Sequence, residues 1–314
     1  MNLRSIRAVR SRPQNSNTTA DAKTAPAWFR AALERPVEHT AIDVEGCSIH
    51  LRSWGEPSLP ALVLVHGGSA HSGWWHHVAP FFADSNHVVA LDLSGHGSSG
   101  RRASYSMQTW AQEVIAAGTA ANPAARPTII GHSIGGWVTA TAAASYGSAI
   151  DGIVVVDTPL QEHEPEGGRL QYDRTLPHGY ATFGEIVDRF RVIPPQANML
   201  PFVSDRIATE SVCQRDGRWF WKFDPAIFAI SDSDFDSTEL DSLERTLEHL
   251  QCRTGFLRCE HGVVPPAMAD RIKSIMQLRG PFVELPDAGH HPMLDQPLAL
   301  VAALRTLLEM WSIT

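Results

Sequence analysis

The chain has 314 residues, a hydrophobic fraction of 43% and a formal net charge of −8 with a pI near 6.0. That length and apolar content suit one large α/β domain with an insertion, and the acidic balance gives no reason to expect nucleic acid or an anionic membrane as a partner. No apolar run is long enough to span a bilayer, and Cys47, Cys213, Cys252 and Cys259 lack metal-ligand spacing, which suits free thiols in a reducing, cytoplasmic setting.

Residues 1–36 read as an N-terminal extension. Arg4, Arg7, Arg10 and Arg12 fall in a stretch with no acid before Asp21. No apolar h-region accompanies them, so a secretory signal is not expected. A mobile extension is the simpler reading, and an organelle transit peptide stays open. Trp28, Phe29 and Leu33 are spaced to form one helical turn that docks on the body. From Val37 the pattern becomes β. The runs 39–44 and 48–54 flank Glu45-Gly46-Cys47 as a hairpin. Ala61 to Val65 is apolar throughout, and 87–93, 128–131, 150–156 and 254–257 repeat the type. Continuous apolar runs suit strands buried on both faces of a parallel sheet. Helix-length segments lie between them at 74–82, 107–121, 134–146, 240–250 and 266–276, with a last helix at 296–310. Strands alternating with helices predict crossovers and a mostly parallel central sheet flanked by helices.

The alternation breaks between residues 159 and 237. Prolines and glycines are dense there, and ten aromatics from Tyr172 to Phe228 accompany them. We read this stretch as a helical cap or lid inserted into a core made of residues 37–158 and 238–314.

Chemistry concentrates at strand ends. Gly131-His132-Ser133-Ile134-Gly135 matches G-x-S-x-G between a strand and a helix. Glycines two residues either side of the serine remove side chains that would collide across so sharp a turn. His66-Gly67-Gly68-Ser69 follows the strand ending at Val65. Backbone N–H groups there suit an oxyanion that develops in acyl transfer, with Gly68 and Ile134 as the expected pair of donors. Asp92-Leu93-Ser94-Gly95-His96-Gly97 follows the next strand and reads as a structural turn.

With these turns and a late Gly289-His290, the chain resembles the α/β-hydrolase superfamily, over all but the extension and cap. The resemblance implies a serine hydrolase acting on a small carboxylic ester or related acyl compound, with Ser133 as nucleophile and His290 as base, and implies no metal or organic cofactor. A C–C bond hydrolase, a lactonase, a hydroxynitrile lyase or a non-catalytic ligand-binding member of the fold stay open. An aspartate in place of Ser133 marks the dehalogenases and epoxide hydrolases of that superfamily, which this chain therefore does not match. The family's usual aspartate position holds Gly262. Two carboxylates are then candidates for the acid: Asp157, at the end of a strand where some esterases of that superfamily carry it, is preferred, and Glu260 is the alternative. His291 is expected outside the reacting groups. Ser69, Trp74, Trp75 and His132 are expected in the substrate pocket.

Overall fold

The computed structural model of the protein describes residues 25–160, 179–229, 244, 246–277 and 279–312. Ten strands and eight α-helices are labelled here, all among those residues. Glu38–Val44 (β1) and Cys47–Trp54 (β2) form the expected hairpin. Its turn residues Glu45 and Gly46 both have positive φ, 50° and 78°, the backbone twist a two-residue hairpin demands. Ala61–Val65 (β3), His87–Leu91 (β4), Thr128–His132 (β5), Gly152–Val156 (β6), Arg253–His261 (β9) and Phe282–Gly289 (β10) complete one sheet. Its order is β1-β2-β4-β3-β5-β6-β9-β10. β1, β2 and β4 pair antiparallel, and every other neighbour pairs parallel.

The apolar runs work as period-two strands buried on both faces. Every residue of β3, β4 and β6 is buried. Val63, Val65, Ile129, Ile153 and Val155 pack on one side, against the helices Met107–Ala121 (α2) and Ile134–Tyr146 (α3). Leu62, Leu64, Ile130, Val154 and Val156 pack on the other, against the long C-terminal helix Pro297–Ser312. Successive side chains of a strand face opposite ways, so one continuous apolar run serves two cores. Truncating one such residue to alanine costs about 2–5 kcal/mol.

Two expectations need correction. Residues 74–82 do not form an α-helix. They form two 3₁₀ turns, Ser72–Trp75 and Ala79–Phe82. Pro80 lacks an N–H and its ring blocks a continuous helix. The insertion is also not purely helical. Phe183–Val187 (α4) and Pro201–Glu210 (α5) are helices, but Val212–Arg215 (β7) and Arg218–Trp221 (β8) pair as an antiparallel hairpin. Its turn is Asp216-Gly217, with φ of 48° and 75°. Of the expected helix at 240–250, residues 244 and 246–249 are helical, and 240–243 and 245 lie outside the described residues. Pro266–Met276 (α6), Pro292–Asp295 (α7) and Pro297–Ser312 (α8) close the chain. At the other end Ala27–Glu34 (α1) is a helix whose Phe29 is buried beside His77 and Phe202. All four cysteines are free. No described helix is long and apolar enough to cross a membrane.

Candidate active site

The parallel strands β3, β5, β6 and β10 all run toward one edge of the sheet, and each hands its next residues to the same place. That edge is where open α/β sheets carry their sites. After β5, Ser133 takes φ +56° and ψ −126°. A non-glycine residue held there costs about 1–3 kcal/mol, so its surroundings must hold it. They do: Ser133 N–H donates to Val156 O at 3.0 Å, and its carbonyl accepts from Gly136 N–H at 2.8 Å and from Thr158 Oγ1 at 2.9 Å. The glycines have distinct reasons. A Cβ on Gly131 would overlap Gly135 across the turn. A Cβ on Gly135 would sit 2.5 Å from His66 O, so that glycine lets the start of α3 pass close to the end of β3.

Ser133 Oγ lies 2.9 Å from His290 Nε2, and His290 Nδ1 lies 2.8 Å from Asp157 Oδ2. The three residues belong to β5, β6 and β10 ends far apart in sequence. Asp157 is fully buried, with φ +44°. Its Oδ1 accepts from Cys259 N–H at 3.0 Å and its Oδ2 from Val263 N–H at 2.9 Å. Gly262 explains the departure from the commoner pattern. A Cβ at 262 would stand 2.5 Å from Asp157 Cγ, because the carboxylate from β6 already fills the space. Glu260 goes elsewhere. It is exposed, and its Oε2 accepts the N–H of Asp287 at 2.9 Å, bracing the irregular end of β10. Buried Arg258 braces the same region, donating to Val264 O at 2.8 Å and pairing with Glu284.

The glycine turn after β3 faces Ser133. A Cβ built on Gly67 would lie 3.2 Å from Ser133 Cβ, and one on Gly68 would lie 3.5 Å from Ile134 Cδ1. The Gly68 and Ile134 N–H groups donate to no other described group. His66 fixes the turn. Its Nδ1–H donates to Gly67 O at 2.7 Å, and its Nε2 accepts from Leu93 N–H at 3.1 Å. Pinning the Gly67 carbonyl fixes the plane of the 67–68 peptide and so the direction of the Gly68 N–H. Burial pushes the His66 imidazole below its ordinary pKa, in keeping with a neutral ring that both donates and accepts.

The four expected pocket residues separate. Ser69 is half-buried with φ +57°. Trp74 stands at the site, 5.3 Å from the His291 ring and 6.3 Å from Phe190 of the insertion. Trp75 is wholly buried in the same apolar cluster that holds Trp74, and Trp74 is the one whose ring meets His291 and Phe190. His132 is no lining residue. It is buried, and its Nε2–H donates to His290 O at 2.7 Å from behind the His290 ring. His291 is buried as well, and its Nε2–H donates to Ile193 O at 3.1 Å.

Two groups carry no readable sequence signal. Gln196 of the insertion grips the histidine loop twice: Oε1 accepts from His291 N–H at 2.9 Å, and Nε2–H donates to His291 O at 3.2 Å. Asp295 Oδ2 accepts from Gly289 N–H at 2.7 Å, holding the same loop from α7. Burial raises the Asp295 carboxyl pKa, against the pull of the backbone N–H groups it accepts from.

Aspartate, imidazole and serine linked in series at the strand ends, beside two N–H groups unengaged among the described residues, is an arrangement that can polarise the serine hydroxyl. The chain belongs to the alpha/beta hydrolase family, whose model matches residues 62–304. Serine hydrolase-like protein 2 from Homo sapiens is 23% identical over 295 residues, covering 83% of this chain and 90% of that protein. A monoacylglycerol lipase from Mycolicibacterium smegmatis is 30% identical over 135 residues, 40% of this chain and 48% of the lipase. Among solved structures, a thioesterase domain from the curacin biosynthetic pathway superposes with a TM-score of 0.71 at 24% identity, over 86% of this chain and all of that one.

Proposed function

We propose that this hydrolase cleaves a carboxylic ester or closely related acyl compound through an acyl-enzyme on Ser133. The observation that carries the reading is the unbroken hydrogen-bonded series from Asp157 through His290 to Ser133. Ser133 Oγ attacks the acyl carbon while His290 Nε2 takes its proton. Asp157 accepts from Nδ1–H, fixes the tautomer and stabilises the imidazolium. The Gly68 and Ile134 N–H groups receive the oxyanion, aided by the positive end of α3. His290 then gives its proton to the leaving group, activates water, and the acyl group leaves as the acid.

The insertion serves as the cap over this site in our reading. Support comes from Phe190 against Trp74, and from Ile193 and Gln196 against the histidine loop. The lipase named above is consistent with an acyl substrate. A panel of short- and long-chain p-nitrophenyl esters with wild type and Ser133→Ala tests the proposal. Wild-type turnover that falls by about 10³-fold or more in the variant supports it. Turnover that survives in Ser133→Ala, or its absence across the panel, counts against it.

A further inference from the structure

Three buried imidazoles meet beside the candidate nucleophile, and the proposed reaction uses the lone pair of one. His132, His290 and His291 are 1%, 4% and 7% exposed. Their ring centroids lie 4.6, 4.9 and 5.4 Å apart, and one nitrogen from each lies within 4.8 Å of the others. The hydrogen bonds say where the protons are. His132 Nε2 faces the carbonyl of His290, and His291 Nε2 faces the carbonyl of Ile193. A carbonyl only accepts, so each ring carries its proton at Nε2 and a bare lone pair at Nδ1. His291 Nδ1 is buried with no partner among the described residues. Buried acceptors are rarely left so. His290 donates its Nδ1–H to Asp157, which leaves its lone pair at Nε2, toward Ser133.

Three neutral nitrogen donors in one buried volume have a defined preference. Imidazole suits zinc, copper and nickel, whereas magnesium and calcium take oxygen ligands. We propose that His132, His290 and His291 form a binding site for a divalent transition ion such as Zn²⁺, and that its binding shuts the hydrolase off. The ion takes the lone pair of His290 Nε2, so the Ser133 hydroxyl loses its base. No covalent bond breaks. All three rings enter neutral, so no proton is released. Zinc–nitrogen bonds of about 2.0–2.1 Å in a tetrahedral site put the nitrogens roughly 3.4 Å apart. Closing from within 4.8 Å to that spacing requires rotation of the rings about χ2, a torsion that is broad for histidine. The binding stands on the histidine cluster alone, and the shut-off rests on His290 being the base.

The other candidate cluster among the described residues, Glu260, His261 and Asp287, is exposed and is the rival for any bound zinc. Calorimetric titration of the full chain with zinc chloride at pH about 8, where imidazoles are neutral, decides between them. Ser133→Ala retains all three rings and serves as the parent. We expect one ion per chain in wild type and Ser133→Ala, with the same heat in two buffers of different ionisation enthalpy. His291→Phe and His132→Phe should each weaken binding by at least the ~10–100-fold that loss of a supporting residue costs a metal site. Glu260→Gln/His261→Asn should leave it unchanged, and magnesium should not compete. Zinc should also block fluorophosphonate labelling of the wild type. Undiminished binding in His291→Phe, which decides alone if His132→Phe does not fold, overturns the site. So does binding that disappears only in Glu260→Gln/His261→Asn. Zinc held by the histidines with labelling undiminished refutes the shut-off and the reading of His290 as base, but leaves the metal site standing.

Discussion

Two aspartates of this molecule are built almost alike. Asp92 follows β4 and Asp157 follows β6, and both are buried, at 2% and 0% exposure. Each takes two backbone N–H bonds: Asp92 from Ser72 and Ser98, Asp157 from Cys259 and Val263. Each accepts from a histidine Nδ1, His50 at 3.0 Å and His290 at 2.8 Å. Each presses on a glycine, Gly97 or Gly262, that has no room for a Cβ. The difference is what meets the far nitrogen of the histidine. His50 Nε2 meets the His39 ring at 3.1 Å, whereas His290 Nε2 meets a strained serine beside two unengaged N–H groups. An aspartate–histidine pair is therefore a bracing device that the fold uses twice. The serine turn and its amides make one of them a candidate site.

The sharpest way to break the comparison is to neutralise each aspartate in turn. Asp157→Asn should lower turnover by at least about 10²-fold with the fold intact, since the imidazole takes the wrong tautomer. Asp92→Asn should act on stability instead. Burial alone would raise the Asp92 carboxyl pKa, but His50, His71 and Arg52 outweigh that and hold it well below the usual range. Breaking such a buried pair costs about 3–5 kcal/mol. Thermal melts and kcat of the folded fraction separate the two outcomes. Glu260→Gln, whose side chain only braces a loop, should cost under about tenfold.

The Gly262 contact sharpens the contrast further. If Asp157 occupies the space that a carboxylate from the 259–263 loop would otherwise fill, moving it should be reversible in part. Asp157→Ala/Gly262→Asp should recover at least about tenfold of the turnover lost in Asp157→Ala. Gly262→Asp alone should destabilise the fold by collision. Equal turnover in the single Asp157→Ala variant and the double variant, both folded, would contradict this account of Gly262.

A smaller effect separates the two regions by pH. His71, His76 and His96 lie in the loops on the Asp92 side, and His77 packs against α7 through Met293 O. Burial first, and then neighbouring cations or histidines, lower them from 6.5 to about 3, 3, 4 and 3 in the order His71, His76, His77, His96. Glu210 pulls His71, His76 and His77 the other way without winning. Their folded values lie below the unfolded one, so the unfolded chain binds more protons in this window. Stability is therefore whole above pH 6.5 and is lost as pH falls from there toward about 3. Each contributes about 1 kcal/mol of loss one pH unit below the ordinary histidine value. Melting temperature against pH checks this, and His96→Gln should flatten the slope. The smallest effect belongs to Gln196→Ala, which should lower kcat by under about tenfold with KM held. Steady-state kinetics measures it, and a change confined to KM would place Gln196 in substrate contact instead.

Much of this contrast was legible in the residues. Continuous apolar runs named the buried strands, and G-x-S-x-G named the serine turn, because both patterns follow from local sterics. The rivalry of Asp157 and Glu260 was legible too, but not its geometry. It turns on the space beside Gly262, which forms only when β6 and β9 pair. Trp74 and Trp75 look equivalent in sequence and share one apolar cluster, yet the Trp74 ring meets His291 while Trp75 is wholly buried. Asp216-Gly217 is a readable hairpin signal, obscured by the surrounding prolines and aromatics. Gln196 had no signal, since one amide in a loop acquires its role only from what it meets.

Mapping a fluorophosphonate adduct by mass spectrometry in wild type, Asp157→Asn and Asp92→Asn tests the central claim most directly. The account predicts the adduct on Ser133, formed at least about 10²-fold more slowly in Asp157→Asn and at an unchanged rate in folded Asp92→Asn. An adduct on another serine, or equal labelling rates in wild type and Asp157→Asn, would contradict it.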